Sequence, residues 1–322
     1  NLADSASVRI EVRLKSQVIK GSEVLVTAER QKFERSMESS QISLDIREIN
    51  SAPAFIEPDV FRTLQMLPGV QTTSDFSSAL YVRGSTPDQN LIMLDGIVVY
   101  NPYHLGGIFS TFNTDAIKEA DFHAGGFPAR HGGRMGAILN VINREGNTNK
   151  ITGMANISLI SSKGLLEGPL PKWRSMKGSW MISGRRTYFD SIIDALKIPS
   201  GQNRDGSDSY FQFPYFFYDY QIKINLDINQ DHRITYSRFY GDDVLDYTYD
   251  DSETIMNQDV ERKYDSGISI KWPWGNRTNG LIWRWIVSPE LVAKTFISNS
   301  RYRFDFDLGF FSRDTYLSLI HI

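Results

Sequence analysis

The chain has 322 residues, enough for two or three domains, and its 41% hydrophobic and 23% charged content excludes a disordered polymer. A net charge of −3 gives no reason to expect a nucleic-acid partner, and zero cysteines exclude disulfides, thiolate chemistry and cysteine-ligated metal. Mean hydropathy is −0.32. No stretch approaches the ~18 apolar residues of a spanning helix, which leaves a β-barrel open because half of each barrel strand is polar.

The opening "NLADSASVRI" lacks the basic and apolar regions of a signal peptide, so the chain is either processed or missing its start. Val8, Ile10, Val12 and Leu14 then alternate with charged residues, a period-2 strand with one wet face. One strand cannot fold alone, so this one reads as the last strand of an upstream domain. Val24–Val26 form a short β-prone patch between charged flanks.

From about Gln41 to Asn147 the pattern is mixed α/β. "EPDVFRTLQMLPGV" predicts a short helix with Pro58 in its first turn, Val60, Leu64 and Leu67 on one face, and Pro68-Gly69 as its stop. "LYVRG", "LIMLDG" and "IVVY" predict short strands broken by glycine turns. Residues 115–146 predict a strand, a glycine-rich loop and a second strand.

After Lys150, long alternating runs take over: Tyr220–Ile228, Ile268–Trp272, Leu281–Val287 and Tyr302–Leu308. The longer ones approach the nine or ten residues of a tilted membrane strand. About eight strands are expected. Aromatics gather near strand ends, as an interfacial girdle requires. Short links are expected at Asn229–Asp231 and Gly275–Gly280 on one rim. Long polar links are expected at 189–217 and 241–263 on the other, with short links near Ser161–Lys163 and Ser288–Glu290 on that same rim. A soluble sandwich would share the alternation.

Candidate chemistry is sparse. Asp95 precedes Gly96 between two apolar runs, which predicts a hairpin turn rather than a catalytic carboxylate. Gly125-Gly126 and Gly132-Gly133 match no phosphate-loop spacing. His104, His123 and His131 lack the spacing of a helical metal pair, and no serine-nucleophile motif is present. No catalytic residue, metal or cofactor is assigned.

The order of segments resembles TonB-dependent outer-membrane receptors, of the type whose plug follows a carboxypeptidase-regulatory-like domain. The resemblance is carried by "DVFRTLQMLPGV" and by the run from "YVRGSTPDQNLIMLDG" to "ILNVINREG", about a hundred residues. It implies an α+β plug domain followed by an antiparallel transmembrane β-barrel of about 22 strands, of which this chain holds about eight. The chain is thus expected to be part of a longer receptor. The implied division is 1–20 for the final strand of the regulatory-like domain, 21–41 for the TonB box and linker, 42–147 for the plug and 151–322 for the start of the barrel. "GSWMISGRRTYFD" is similar to an early barrel strand entering the first long loop.

The resemblance also assigns roles. Glu23, Val24, Leu25, Val26, Thr27 and Ala28 are similar to the TonB box, which adds as a strand to a periplasmic energy-coupling protein of the TonB type. Asp75, Phe76, Asp88, Tyr100, Tyr103 and His104 lie on polar loops expected at the plug apex, facing a small-molecule or oligomeric substrate: siderophore, vitamin, oligosaccharide or peptide. Arg83, Arg130 and Arg134 are expected to pair with acidic groups on the barrel wall. Expected surroundings are the Gram-negative outer membrane and its lipid bilayer. Two rivals stay open: a receptor that also signals, and a secreted β-rich glycosidase, which would need paired carboxylates such as those among Asp242, Asp243, Asp250 and Asp251.

Overall fold

The computed structural model describes residues 41–322 apart from 55–56, 75, 172–175, 203–207, 258–259 and 319–322. The regulatory-like strand, the TonB box and Asp75 therefore lie outside the described residues.

The first strand, Gln41–Asp45 (β1), runs into the helix Ile46–Ser51 (α1) through a reciprocal cap. The Asp45 carboxylate accepts from the Arg47 and Glu48 amides at 2.7 and 2.9 Å, and the Glu48 carboxylate accepts from the Asp45 amide at 2.8 Å. Asp59 caps the second helix, Val60–Gln65 (α2), its carboxylate accepting from the Phe61 and Arg62 amides at 2.7 and 3.3 Å without a reciprocal bond. The helix starts after the cap, so Pro58 stands outside the first turn where the sequence predicted it. Asp59 has an oxygen for the orphan amides and proline has none. Gly69, at φ +83°, turns the chain away after the helix.

Four further strands complete the plug sheet: Leu91–Leu94 (β2), Ile97–Val98 (β3), Ile117–His123 (β4) and Ile138–Asn143 (β5). Their order is β1-β4-β5-β2-β3, with β2 and β5 parallel and the other pairs antiparallel. Every residue of β2 is buried, which is why it reads as an unbroken apolar run. The helices cover one face of this sheet through Ile49, Phe61, Leu64, Phe112, Phe122 and Val141.

The rest of the chain is one antiparallel sheet. Its strands are Thr152–Ile157 (β6), Ser161–Pro169 (β7), Lys177–Thr187 (β8), Tyr215–Asp227 (β9), His232–Asn257 (β10), Val260–Ser288 (β11), Leu291–Phe304 (β12) and Asp307–Ser318 (β13). They pair in sequence order to β12, and β13 also pairs with β11. Phe304 opposite Trp274 and Asp307 opposite Lys271 keep one register, so β12 and β13 continue a single line broken at Asp305 and Phe306. The sheet is unclosed. Residues 40–322 form one compact unit.

Three expectations are corrected here. "GNRTNG" is not a turn: Gly275–Gly280 lies inside β11, paired with Asp242–Ser237 on one side and with Arg303–Ser298 on the other. Its glycines answer crowding instead. A Cβ on Gly275 would collide with Asp242 and with the Gly241 carbonyl, and one on Gly280 would lie 2.5 Å from Ile97 Cδ1 of the plug. Residues 241–263 are not a loose link either. β10 and β11 continue as a ladder as far as Asn257 opposite Val260. At ~3.3 Å per residue, the 26 residues of β10 far exceed the ~30 Å apolar thickness of a bilayer. With that turn removed, Ser288–Glu290 falls on the same rim as Asn229–Asp231: the Ile286 amide donates to the Asp231 carbonyl at 2.9 Å.

The strand alternation stands. In β9, odd-numbered residues from Tyr215 to Asn225 are buried toward the plug, while Ile222, Ile224 and Leu226 face outward. The link from β8 to β9 carries the helix Phe189–Leu196 (α3) and a small ladder of Pro199–Gln202 with Asp208–Tyr210.

Candidate functional site between plug and wall

Plug and wall meet through polar side chains at two levels. At the lower level stands the turn Asp95-Gly96. Both residues have positive φ, +53° and +80°, the geometry that a two-residue hairpin of the mirror type demands. This backbone aims the Asp95 carboxylate at the wall. Lys223 Nζ of β9 donates to it at 2.7 Å, Ser237 Oγ of β10 at 2.6 Å, and the Asn143 amide at 3.0 Å. Lys223 also donates to the Asn143 carbonyl at 2.9 Å. Just beyond β5, the Glu145 carbonyl accepts from Ser179 Oγ and Asn225 Nδ2 at 2.6 and 2.8 Å, and the Glu145 carboxylate meets Arg233 at 2.6 Å.

The upper level is centred on His104. Tyr103–His104 pairs with Phe109–Ser110 in a short ladder, which presents the imidazole to the wall. Nδ1 lies 2.6 Å from Asp243 and Nε2 lies 2.9 Å from Asp219, and the ring stacks on Phe217 at 3.9 Å. Burial alone would lower the His104 pKa, but the two carboxylates outweigh it and hold the pKa at about 9. The ring is therefore an imidazolium donating from both nitrogens at neutral pH. Arg185 grips the other Asp219 oxygen at 2.6 and 2.8 Å and donates to the Ser110 carbonyl at 2.9 Å. Tyr215 donates to Asp243 and accepts from the Leu105 amide at 2.8 Å. Glu57 accepts from Ser161 and lies 3.6 Å from Lys163.

The wall thus supplies Lys163, Arg185, Lys223 and Arg233 to acids of the plug or of the interface. Lys223 with Asp95 and Arg233 with Glu145 put the cation on the wall, while Arg144, just past β5, meets Glu167 of β7 at 2.8 Å and His104 meets wall Asp219 and Asp243, the expected polarity of a plug cation on wall acids. Arg83 and Arg134 make no hydrogen bond or ion pair with a wall strand among the described residues. Arg83 lies along the plug beside Gly69 and Gly125, Arg134 donates to the Gly133 carbonyl, and Arg130 donates to His131.

The apex candidates separate. Phe76 and Tyr100 are exposed, as is Asp88 in a short turn at Pro87–Gln89. Ser78 ties the loop of Phe76 to Gly107, with its amide and hydroxyl 2.6 and 2.7 Å from that carbonyl. Tyr103 lines a cavity of about 280 Å³ together with Asn101, Tyr215, Trp272, Trp274 and Tyr302. His104 is fully buried in the lock described above. The partners Lys223 and Arg185 had no sequence signal beyond being charged residues in strands, and Asp243 read as part of a long polar link. Asp242 and Asp243 do not converge, because adjacent strand residues point to opposite faces: Asp243 holds His104, while Asp242 lies among outward tyrosines.

No curated protein matches the chain. Similar solved structures include a mutant of the ferric enterobactin receptor PfeA from Pseudomonas aeruginosa, at 13% identity over 85% of this chain and 50% of that one, TM-score 0.46. The outer membrane transporter YddB from Escherichia coli is similar at 10% identity over 86% and 53%, TM-score 0.48. The siderophore receptor PirA from Pseudomonas aeruginosa is similar at 12% identity over 88% and 62%, TM-score 0.42. The chain spans about half the length of the first two. The family model for the TonB-dependent Receptor Plug Domain matches residues 39–138, the segment that folds into the α/β unit seated against the antiparallel sheet. Residues 39–138 are thus similar to the plug domain of TonB-dependent receptors, and they stand beside an unclosed antiparallel sheet.

Proposed function

We propose that this chain supplies the plug and leading wall strands of a transporter that takes up a scarce solute across the outer membrane. The observation that carries the reading is the chemistry of the plug–wall seam. At both levels ion pairs and hydrogen bonds cross the seam, and they break up its apolar contacts into small separate clusters such as Phe109 with Phe217 and Ala116 with Leu165 and Met181. Water replaces the polar contacts as the plug shifts, so a pull from the periplasm releases them stepwise. An apolar seam would have to be opened against the hydrophobic effect.

In this reading Glu23–Ala28 adds as a strand to a periplasmic coupling protein of the TonB type. Substrate of the siderophore, vitamin, oligosaccharide or peptide class meets Asp75, Phe76, Asp88, Tyr100 and Tyr103 from outside. His104 acts behind them by holding their loop to the wall. Arg83, Arg130 and Arg134 are proposed to contact barrel strands other than β6–β13.

The test is uptake by cells carrying the complete receptor, with the coupling protein present or deleted, for one solute of each class. Accumulation of one solute only when the coupling protein is present supports the reading. Coupling-independent accumulation, or none for any class, overturns it.

A further inference from the structure

The outward face of the sheet carries a feature that transport does not use. Ile222, Ile224 and Leu226 of β9, Ile234 of β10 and Leu281, Trp283 and Trp285 of β11 form an outward apolar band. Toward the long-link rim, that band stops at a belt of tyrosine and arginine. Tyr220 and Tyr240 stack at 4.9 Å, and Tyr218 continues the stack at 5.9 Å. The Arg277 guanidinium lies 4.6 Å from the Tyr240 ring centre, and Arg277 also donates to the Tyr240 hydroxyl at 2.8 Å. Arg238 donates to the Tyr220 hydroxyl at 3.3 Å.

Arg277 and Arg301 stand directly opposite each other across β11 and β12 on this outward face, with Arg303 next along. Like charges directly opposite destabilise a sheet pair. The local acids do not cancel the charge. Two of the four arginines meet an acid: Asp242 lies 4.0 Å from Arg277 and 3.7 Å from Arg303, and Asp305 lies 3.3 Å from Arg303. Arg238 and Arg301 meet no carboxylate among the described residues. Opposite Arg303 stands Gly275, and Asp242 occupies the space that a Cβ would take there. Both neighbours of β11 belong to this chain along this stretch.

We propose that this belt binds the phosphorylated headgroup of an outer-leaflet glycolipid. The arginines clamp the phosphate while the acyl chains lie on the apolar band beneath. Guanidinium pairs phosphate with two parallel hydrogen bonds, and the tyrosine stacks hold Arg238 and Arg277 with donors turned outward. The height of the belt, where the apolar band ends, is that of the headgroup layer. The proposal rests on the barrel lying in the outer membrane with its long links outward, and not on transport.

The test uses the complete receptor extracted in mild detergent and native mass spectrometry with lipid A as the probe, phosphorylated or dephosphorylated. Wild type is expected to prefer the phosphorylated form. Arg277→Gln with Arg301→Gln is expected to reduce its binding by more than roughly tenfold, the scale of losing charge-assisted hydrogen bonds. Arg262→Gln, at a separate ion pair with Asp314, should bind as wild type does. Heat-modifiable migration on gels checks that each variant forms a barrel. Equal binding of the two lipid forms, or unchanged binding in a folded double variant, overturns the proposal. Displacement of the lipid by millimolar inorganic phosphate assigns the belt to free anions and overturns it as well. A barrel that folds and binds lipid A but imports nothing leaves the belt standing while the transport reading fails.

Discussion

Asp95 of the plug and Lys223 of the wall meet at 2.7 Å, with their side chains 4% and 6% exposed, 128 residues apart in sequence. Removing one partner of such a buried pair leaves the other charge uncompensated, at a cost of about 3–5 kcal/mol. Asn tolerates the positive φ of position 95, so Asp95→Asn separates the charge from the turn. The expected outcome is a loosened plug, read as faster proteolysis between residues 80 and 140 of the folded receptor. Asp95→Asn with Lys223→Met should recover much of the protection, whereas turn failure would leave the double variant as labile as the single one.

His104 makes the upper lock pH-dependent. Its folded pKa of about 9 lies above the ordinary 6.5. A raised pKa means that protonation stabilises the docked plug. The contribution is fully present below about pH 6.5 and is lost as pH rises through about 9. The groups facing the ring are Asp219, Asp243, the Arg185 that shares Asp219, and Tyr215. Hydrogen exchange at residues 103–110 should therefore accelerate between pH 7 and 10 in wild type. It should be faster and flatter in His104→Gln. An unchanged slope in that variant would mean another group titrates.

Gly280 lets the plug sit close. Its missing Cβ would lie 2.5 Å from Ile97 Cδ1, at a position where Ile97 is 2% exposed. Gly280→Ala should cost about 1–3 kcal/mol by overpacking. Adding Ile97→Val, which removes that Cδ1, should return much of the loss in thermal melting of the purified receptor. No rescue would point to the strand backbone rather than the plug.

These three sites mark where the sequence was legible and where it was not. The Asp95-Gly96 turn was readable because its φ demand is local. Its ion pair was not, because Lys223 is one of several charged residues in an alternating strand, and only the three-dimensional register places it opposite the turn. His104 read as an exposed loop residue because histidine beside tyrosine and proline carries no signal of burial. "GNRTNG" misled for the same reason in reverse. Glycine and asparagine mark turns, yet here glycine marks close approach of Asp242 and Ile97. The plug strands and the outward parity of β9 were legible because burial imposes their periods directly.

Val26→Pro tests the coupling segment, whose assignment rests on its place before the plug. Strand addition works through backbone hydrogen bonds, and proline removes a donor and fixes φ. Substrate should bind the variant at the cell surface as it binds wild type, while energised uptake falls to the level of cells lacking the coupling protein. Normal uptake would place the coupling contact elsewhere.

The wall strand β9 gives the most direct check of the membrane assignment. Ile224 faces outward, while Asn225 is 1% exposed and donates to the Glu145 carbonyl at 2.8 Å. Ile224→Arg places a charge on the lipid face, worth about 2–4 kcal/mol near the midplane. Asn225→Arg is not silent either, because it removes a plug contact, so comparing the two stabilities does not identify the solvent on each side. Spin labels do. In the complete receptor in a bilayer, a label at 224 should be quenched by a lipid-phase quencher, and a label at 225 should not. The same contrast should repeat at Trp283 against Ile282, because the register sets Trp283 opposite the outward Ile234. Protection of both 224 and 283 from the lipid quencher would mean that the outward apolar band faces protein, and the transmembrane reading of this sheet would fail.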